Sequence, residues 1–331
     1  DGLNAMVLGT ARGFPHKGIK RRNIIELDEE VEGITAPKIY SEEVLAKAAA
    51  LEAELIAGRR SNVVFKASMK DEPCKITKIK RRVFAGCPET FTFTGRKHLL
   101  TTVKFIQDRP DVFECSVGID VHSPEWSVRM KKIAEYGEHR VIAGDYKSFD
   151  GRMSPRFMLM AFKIITRLCE KSGNFDAEDL RCIRGIATEV CFPVVDYFGT
   201  LVKFQGSNPS GHPLTVVINS LVNSLYMRYA YYEIARKDRW RRTPLYCYVV
   251  KTYNYGDDNI NGVKKGYSQI NHTRISAELA EADIEYTMAD KDAKSVPYIS
   301  LSEAGFLKHK AIWDPELELY RAQIEPDSIA K

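Results

Sequence analysis

The sequence has few of the features that mark membrane-spanning, secreted or low-complexity proteins. No apolar run approaches the roughly 20 residues that a membrane-spanning helix needs, and the N-terminus has no signal-peptide pattern. The seven cysteines are scattered and never spaced as CxxC. This argues for a reducing compartment and against a disulfide framework or a structural zinc site. Internal repeats are also absent, which leaves an ordinary globular protein.

Composition and charge agree with a globular chain. The 331 residues are 44% hydrophobic and 28% charged, enough for one large domain or two to three smaller ones. The net charge is only +5, but residues 70–82 contain six basic residues against two acids. This segment is a candidate anion-binding site. Because the chain starts Asp-Gly without Met and stops soon after an amphipathic stretch begins, we expect a piece of a longer precursor.

Two adjacent acids follow a glycine at Tyr255-Gly256-Asp257-Asp258. Runs rich in β-branched and aromatic residues flank them, at 246–255 and 260–263, which predicts a tight β-hairpin with both acids at its tip. Adjacent carboxylates repel one another unless a cation neutralises them, so the pattern favours a divalent metal site. A solvated surface turn is the alternative interpretation.

A second pair of acids follows a predicted strand at 141–143. Asp145 and Asp150 are five residues apart, so on a continuous strand their side chains would face opposite sides of the sheet. We therefore expect different roles. Asp145 can share a metal with the hairpin carboxylates, whereas Asp150 can hydrogen-bond a neighbouring group or cap a helix.

Basic residues alternate along 78–82 and precede an apolar run. A row of Lys and Arg on one side of a strand could clamp a triphosphate. The alternative is a solvated basic edge that discourages sheet aggregation.

A flexible loop at 206–211 precedes a predicted helix over 214–237. Thr215 and Asn219 are four residues apart and share one face of that helix. Polar side chains in an otherwise apolar helix, here Thr215, Asn219 and Asn223, need partners, either structural groups or a ligand, and the loop before them favours a ligand.

Three remaining segments carry isolated basic residues. Residues 10–17 predict a fixed loop, residues 286–292 a loop with Lys291, and residues 306–310 a short strand with a basic end. Each pattern alone is also typical of solvent-exposed surface.

Taken in order, these segments resemble the RNA-dependent RNA polymerases of picornavirus-like (Picornavirales) positive-strand RNA viruses. The resemblance covers essentially the whole chain. The matching segments are Thr10 to Pro15 (template entrance), Lys70 to Arg82 (basic fingers motif), Asp145 to Asp150 (first palm motif), Ser210-Gly211 with Thr215 and Asn219 (second palm motif), Tyr255 to Asp258 (metal-binding hairpin), Ala289 to Lys291 (lysine-bearing loop) and Phe306 to Lys308 (primer grip).

The resemblance implies an α+β fold, a right-hand polymerase with a palm of antiparallel sheet plus helices, partial fingers and a truncated thumb. The implied domains are fingers at 1–140, palm at 141–165, a fingers insertion at 166–205, palm again at 206–310 and the start of the thumb at 311–331.

The resemblance also implies RNA-directed RNA synthesis by a two-metal mechanism. Asp145 and Asp257, with Asp258 in support, would bind two Mg²⁺ ions, for which Mn²⁺ could substitute. Lys291 would be the general acid. The implied nucleotide-binding residues are Lys70, Lys78, Arg82, Asp150, Ser210, Gly211, Thr215 and Asn219. Four of these, Asp150, Ser210, Thr215 and Asn219, would read the ribose 2′-hydroxyl, and the implied RNA-binding residues are Thr10, Gly13 and Lys308.

The partners implied by the resemblance are an RNA template and primer, nucleoside triphosphates, a virus-encoded protein primer and other replication proteins. The implied location is the host-cell cytoplasm, in membrane-associated replication complexes anchored by other viral proteins, because this chain has no transmembrane segment of its own.

The basic motif departs from the family pattern, since it is shorter and has Cys74 where many relatives have Arg. Lys75 is therefore an alternative to Lys78. Two other functions remain as alternatives. A reverse transcriptase shares the Tyr-x-Asp-Asp hairpin, but Asp150 with Asn219 favours a ribose substrate. A non-catalytic RNA-binding module derived from a polymerase would need none of the aspartates or Lys291.

Overall fold

The computed structural model describes residues 6, 9–16, 18–26, 38–71, 82–289 and 293–329. Its α-helices are α1 Glu42–Ile56, α2 Glu89–Gln107, α3 Pro110–Phe113, α4 Pro124–Ala134, α5 Phe149–Arg152, α6 Pro155–Ser172, α7 Ala177–Cys191, α8 Thr215–Lys237, α9 His272–Ala280 and α10 Pro326–Ile329. Its strands are β1 Ile24–Glu26, β2 Lys38–Tyr40, β3 Val64–Met69, β4 Val83–Gly86, β5 Val141–Tyr146, β6 Val194–Tyr197, β7 Thr200–Lys203, β8 Val250–Tyr255, β9 Asp258–Val263, β10 Tyr286–Thr287, β11 Gly305–Phe306, β12 His309–Asp314 and β13 Leu319–Ile324.

The chain forms two compact units. The first comprises Asp1–Phe105 and Met153–Thr215, and the second comprises Ile106–Arg152 and Val216–Lys331. These units cross the predicted limits of fingers, palm and thumb, and the assignment of those names to residue ranges stays a prediction.

The first unit contains a four-stranded sheet in the order β4-β3-β6-β7, in which β3 and β6 are parallel and the other pairs antiparallel. Helix α7 begins with a capping box, since Asp176 accepts from the N–H of Asp179 and the Asp179 carboxylate accepts from the N–H of Asp176. Helices α1 and α7 pack closely, because a Cβ on Gly185 would lie only 2.8 Å from Cβ of Leu55.

The second unit is organised around an antiparallel sheet in the order β10-β5-β9-β8. Side chains alternate across a strand, so Val141 and Ala143 point to one face, where they join a core with Trp126 of α4. Tyr146 lies on the opposite face, and its ring centroid is 5.8 Å from that of Tyr226 on α8. The sheet is therefore covered by α4 on one face and by α8 on the other.

A smaller sheet in the second unit has the order β11-β12-β13. Its first turn corrects the prediction of a short strand over 306–310. Phe306 pairs with His309, and Leu307 and Lys308 between them both have positive φ, 54° and 60°. A two-residue turn with two positive φ values belongs to the type that matches the twist of a hairpin. Because neither turn residue is a glycine, the sequence does not predict this turn.

The predicted hairpin is confirmed by β8 and β9, and the predicted helix at 214–237 by α8. The first strand was predicted from Tyr246, whereas β8 begins at Val250 and Tyr246–Tyr248 form a short 3-10 helix. Among the helices that the structure describes, none combines the length and the apolar character needed to cross a bilayer.

Candidate active site

The acidic tetrapeptide forms the tip of the β8-β9 hairpin. Tyr255 pairs with Asp258, so Gly256 and Asp257 are the two residues of the turn. Gly256 has φ +65°, a backbone conformation that a residue with a Cβ rarely adopts. A two-residue hairpin with glycine first is a favoured geometry. The glycine therefore sets the turn that presents Asp257, whose side chain is exposed.

Two buried side chains of α8 form hydrogen bonds to the backbone of this turn. Asn223 Nδ2 donates to the carbonyl oxygens of Gly256 (3.1 Å) and Asp257 (3.0 Å), and Asn223 Oδ1 accepts from Tyr146 Oη at 3.0 Å. Ser220 Oγ accepts from the N–H of Gly256 at 2.9 Å. The position of the turn is therefore fixed by hydrogen bonds to its backbone as well as by the strands.

The third aspartate reaches the same end of the sheet from β5. Gly144 of β5 lies opposite Asn259 of β9 in the last pair of that ladder, and the next residues along the two strands are Asp145 and Asp258. Asp145 and Asp258 are partly buried. Asp145 also pairs with Thr287 of β10. The β5 and β8-β9 segments thus bring the three predicted metal ligands to one edge of one sheet.

Asp258 is tied to the turn at Leu307 and Lys308. Its Oδ2 accepts a short hydrogen bond from the N–H of Leu307, so the β8-β9 tip is joined to the β11-β12 tip. Lys308, the predicted RNA-binding residue, follows directly and is exposed. One carboxylate oxygen of Asp258 therefore helps to position the segment that carries Lys308.

The charges of the three aspartates interact. The pKa of Asp258 is raised to about 7, chiefly by burial and also by the negative charges of Asp257 and Asp145, while the hydrogen bond from the Leu307 N–H acts in the opposite direction. Among the described residues, these carboxylates are not one of the groups whose ligand atoms all lie within 4.8 Å of one another. They form a cluster of repelling oxygen donors, not a closed three-ligand site.

The predicted pair of Asp150 and Asn219 is brought together. Asn219 Nδ2 on α8 donates to Asp150 Oδ1 on α5 at 2.6 Å. Asn219 is 7% exposed, whereas Asp150 is partly exposed. The amide thus orients a carboxylate that solvent can still reach.

The second palm motif is split at the boundary of the two units, with Ser210, Gly211 and Thr215 in the first. Gly211 forms a parallel bridge with Gly86 of β4. Thr215 Oγ1 lies 3.0 Å from the Pro209 carbonyl oxygen and 2.8 Å from that of His212, to which it donates. In this structure the Thr215 hydroxyl therefore holds the loop before α8.

The basic motif lies mostly outside the described residues, which end at 71 and resume at 82. Lys78 and its alternative Lys75 fall in this gap, as Lys291 falls in the gap at 290–292. The two ends of the basic motif are neighbours: the N–H of Lys70 donates to the carbonyl oxygen of Arg82 at 2.9 Å, just beyond the β3-β4 pairing.

The predicted template-entrance segment packs on the start of α2. Gly13 has φ +79°, and a Cβ there would lie 2.4 Å from the carbonyl oxygen of Cys87, so only glycine fits. Arg12 Nε donates to the buried carboxylate of Glu89 at 2.6 Å. Thr10 Oγ1 accepts from Lys20 Nζ at 2.9 Å. These contacts explain the fixed loop, and the RNA-binding role of Thr10 and Gly13 stays a prediction.

The sequence marked Asn223 as a polar residue of α8 that needs a partner, without indicating which one, and Ser220 was not singled out. The signal was present, because both are polar residues in an apolar helix and Asn223 follows Asn219 by one turn. What was missing was their partners, which are backbone atoms of a hairpin more than thirty residues away.

Comparison with solved structures defines the class of fold. The chain superposes on the structure titled "Sicinivirus 3Dpol RNA dependent RNA polymerase" with a TM-score of 0.79 at 18% identity, covering 99% of this chain and 64% of that one. The predicted α+β fold of a palm-type polymerase is confirmed.

Sequence comparison then gives the family. The model described as viral RNA-dependent RNA polymerase matches residues 1–331. The "Replicase polyprotein" of Cricket paralysis virus is 30% identical over 282 residues, which are 81% of this chain and 16% of that polyprotein. The "RNA1 polyprotein" of Cowpea mosaic virus is 28% identical over 338 residues, which are 94% of this chain and 17% of that polyprotein. The chain belongs to the viral RNA-dependent RNA polymerase family, and it spans only a small part of these curated relatives.

The resemblance stated from the motifs is thereby confirmed, including its picornavirus-like character. The predicted enzyme class, RNA-dependent RNA polymerase, is the class of this family. Membership of the family therefore favours an RNA-dependent RNA polymerase over a reverse transcriptase.

Proposed function

We propose that this chain carries the catalytic core of an RNA-directed RNA polymerase that copies a viral RNA genome. In this reaction the 3′-oxygen of an RNA primer attacks the α-phosphorus of a nucleoside triphosphate, the bond to the β-phosphate breaks, and diphosphate leaves. The observation that carries the proposal is the convergence of Asp145, Asp257 and Asp258 at one edge of the β5-β9-β8 sheet in a chain of this family.

The donor set at this edge fits divalent metal ions, which the family uses in general. Carboxylate oxygens are the ligands that Mg²⁺ prefers. The raised pKa of Asp258 comes first from burial and then from repulsion by Asp257 and Asp145, and a cation at this edge would relieve the repulsion. We assign two Mg²⁺ ions, or Mn²⁺ in their place, to Asp145 and Asp257, with Asp258 in support. When bound, the ions supply activation of the attacking hydroxyl and neutralisation of the departing diphosphate.

The protein's own contribution at this edge is positioning. Asp257 is presented by a turn whose backbone is hydrogen-bonded to Asn223 and Ser220, so the carboxylate needs little reorganisation before it acts. The Asp258 carboxylate holds the Leu307 amide, which supports a role for the adjacent Lys308 in gripping RNA.

Selection of the sugar is assigned to Asp150 with Asn219. The Asn219 amide leaves the partly exposed Asp150 carboxylate oriented as a hydrogen-bond acceptor for a ribose hydroxyl. A deoxyribose would leave that acceptor unpaired, which is the kind of mismatch that gives strong discrimination.

The remaining roles follow from the family resemblance. They are nucleotide binding by Lys70, Lys78, Arg82, Ser210, Gly211 and Thr215, proton donation by Lys291, and RNA binding by Thr10, Gly13 and Lys308. The partners are an RNA template and primer, nucleoside triphosphates, a virus-encoded protein primer and other replication proteins. The location is the host-cell cytoplasm, in membrane-associated replication complexes.

Primer extension on an RNA template with Mg²⁺ tests the proposal. The assay compares this chain with a version extended at both ends to the length of the sicinivirus polymerase. Activity in both forms establishes the polymerase. Activity in the longer form alone confirms the function and makes this chain an incomplete core, whereas activity in neither form favours a non-catalytic RNA-binding module.

A further inference from the structure

A cluster of unlike side chains lies inside the first unit, with no part in the proposed reaction. Glu52 of α1, His98 of α2 and Cys182 of α7 each offer one ligand atom, and the three atoms all lie within 4.8 Å of one another. Cys182 is 0% and His98 5% exposed, and the Glu52 side chain is 16% exposed. Three helices that are far apart in sequence therefore place a carboxylate, an imidazole and a thiol around one point.

The chemistry of these three groups is that of a zinc site. Zinc in proteins is bound by thiolate, imidazole and carboxylate in tetrahedral geometry, with bonds of about 2.0–2.3 Å and ligand atoms therefore about 3–4 Å apart. Magnesium and calcium prefer all-oxygen sets, whereas a thiolate selects softer metals. One thiolate and one carboxylate also balance the two charges of Zn²⁺.

The surroundings of His98 match a feature that zinc-bound histidines share. His98 Nε2 lies 2.8 Å from Glu52 Oε1, and His98 Nδ1 lies 3.2 Å from Asp179 Oδ1 on α7. With Nε2 on a metal, Nδ1–H donates to Asp179, the carboxylate–histidine–zinc arrangement that fixes the ring tautomer and orientation. Asp179 is itself held by the capping box of α7.

The cluster is also open enough for an ion to enter. Lys97 Nζ lies 2.8 and 2.9 Å from the two Glu52 oxygens and is 52% exposed, so one side of the site faces solvent. Because Lys97 contacts both oxygens, a metal ion that binds one of them would replace one of these two contacts.

We propose that Glu52, His98 and Cys182 bind one Zn²⁺ ion that ties helices α1, α2 and α7 together. Binding forms a Zn–S bond and breaks the Cys182 S–H bond, with the proton released to solvent. The lack of CxxC spacing does not oppose this site, because spacing rules describe ligands from one loop and these ligands come from three helices.

Zinc content and cobalt spectroscopy test the proposal without any measurement of polymerase activity. Purified chain is stripped with chelator, incubated with ZnCl₂ and desalted. We expect one zinc per parent chain and none in Cys182→Ala. The matched control is Cys191→Ala, which removes another fully buried thiol from the same helix and should keep its zinc. With CoCl₂, the parent and the control should show a thiolate-to-cobalt charge-transfer band that Cys182→Ala lacks.

Two milder variants keep the test decisive if Cys182→Ala does not fold. Glu52→Gln alters a partly exposed ligand and should weaken zinc affinity at least about tenfold with an unchanged circular dichroism spectrum. Asp179→Asn leaves all three ligands in place and should weaken affinity by about 10- to 100-fold. A parent chain that retains no zinc, or variants that retain it as tightly as the parent, would overturn the proposal. His98 would then serve only as a hydrogen-bonded bridge between Glu52 and Asp179.

Discussion

Two asparagines one turn apart on α8 have opposite relations to the active site. Asn219 Nδ2 donates to the carboxylate of Asp150, a side chain that solvent reaches. Asn223 is fully buried and donates to main-chain carbonyls of Gly256 and Asp257. The same residue type on the same helix thus orients a ligand-accessible group in one place and a piece of backbone in the other.

Burial distinguishes the polar residues near the site that stabilise the fold from those that are available to bind substrate. A buried polar group that loses its partner costs its full desolvation free energy, whereas a partly exposed one can turn to water. We therefore expect changes at Asn223 to lower the free energy of unfolding, and changes at Asp150 or Asn219 to alter selectivity first.

Among the changes in stability, the largest is expected for Asn223→Ala. The substitution removes the donor to two buried carbonyl oxygens and the acceptor of the Tyr146 hydroxyl. Urea unfolding should show a loss of about 2–4 kcal/mol. The matched control is Ser220→Ala, which removes one hydrogen bond to the Gly256 amide and should cost about 1 kcal/mol. Equal losses of unfolding free energy in the two variants would show that Asn223 contributes no more to stability than Ser220.

A buried histidine before α8, His212, should make the free energy of unfolding depend on pH. His212 Nε2 lies 2.8 Å from Asn208 Oδ1, and its Nδ1 accepts from the N–H of Leu214. Burial lowers the pKa of His212 to about 3 from the ordinary 6.5. The folded chain thus keeps the ring neutral where the unfolded chain protonates it, and stability falls as the pH drops below 6.5 toward 3.

Unfolding free energies measured between pH 6 and pH 4 test this expectation. One proton taken up on unfolding gives a slope of about 1.4 kcal/mol per pH unit, so the loss over this range is about 2 kcal/mol. In His212→Asn this part of the slope should disappear, while the part due to carboxylates remains in both proteins. Parallel curves for the two proteins would show that His212 titrates in the folded chain like an exposed histidine.

A smaller effect in free energy is expected for Asp150→Ala, on sugar selection. Loss of the acceptor should lower the preference for ribonucleotides over deoxyribonucleotides by about tenfold or more. The loss of stability should be smaller than in Asn223→Ala, because only one hydrogen bond of the Asn219 amide is removed. Single-nucleotide incorporation of UTP and dTTP measures the ratio. Asn219→Ala should lower it similarly, and the double variant should add little, because the two residues act as one unit. Unchanged selectivity in Asp150→Ala would remove the pair from sugar recognition.

Local patterns in the sequence predicted much of this site. The hairpin at 250–263 follows from alternating residues around a glycine and two acids, and the long helix α8 from its apolar content. Asp145 pairs with β10 in the sheet, whereas Asp150 accepts from Asn219, and the expectation that the two aspartates have different roles stays a prediction. For the hairpin and the helix, the deciding interactions are close in sequence.

The features that sequence reasoning missed depend on distant partners. Asn223 contacts a hairpin more than thirty residues later, and the Glu52, His98 and Cys182 cluster joins three separate helices. The turn at Leu307 and Lys308 was predicted as strand because neither residue is a glycine, asparagine or aspartate. Its geometry is supported by a hydrogen bond to Asp258, which no local rule contains.

The proposed function requires the Asp257 carboxylate, which the turn at Gly256 presents, to take part in catalysis. The most direct measurement is Mg²⁺-dependent primer extension by Asp257→Asn, made in whichever form of the parent is active and paired with an RNA-binding assay. Loss of several kcal/mol of charge stabilisation predicts a fall in rate of about 10³-fold or more, with RNA affinity nearly unchanged. Undiminished synthesis by Asp257→Asn would contradict the account.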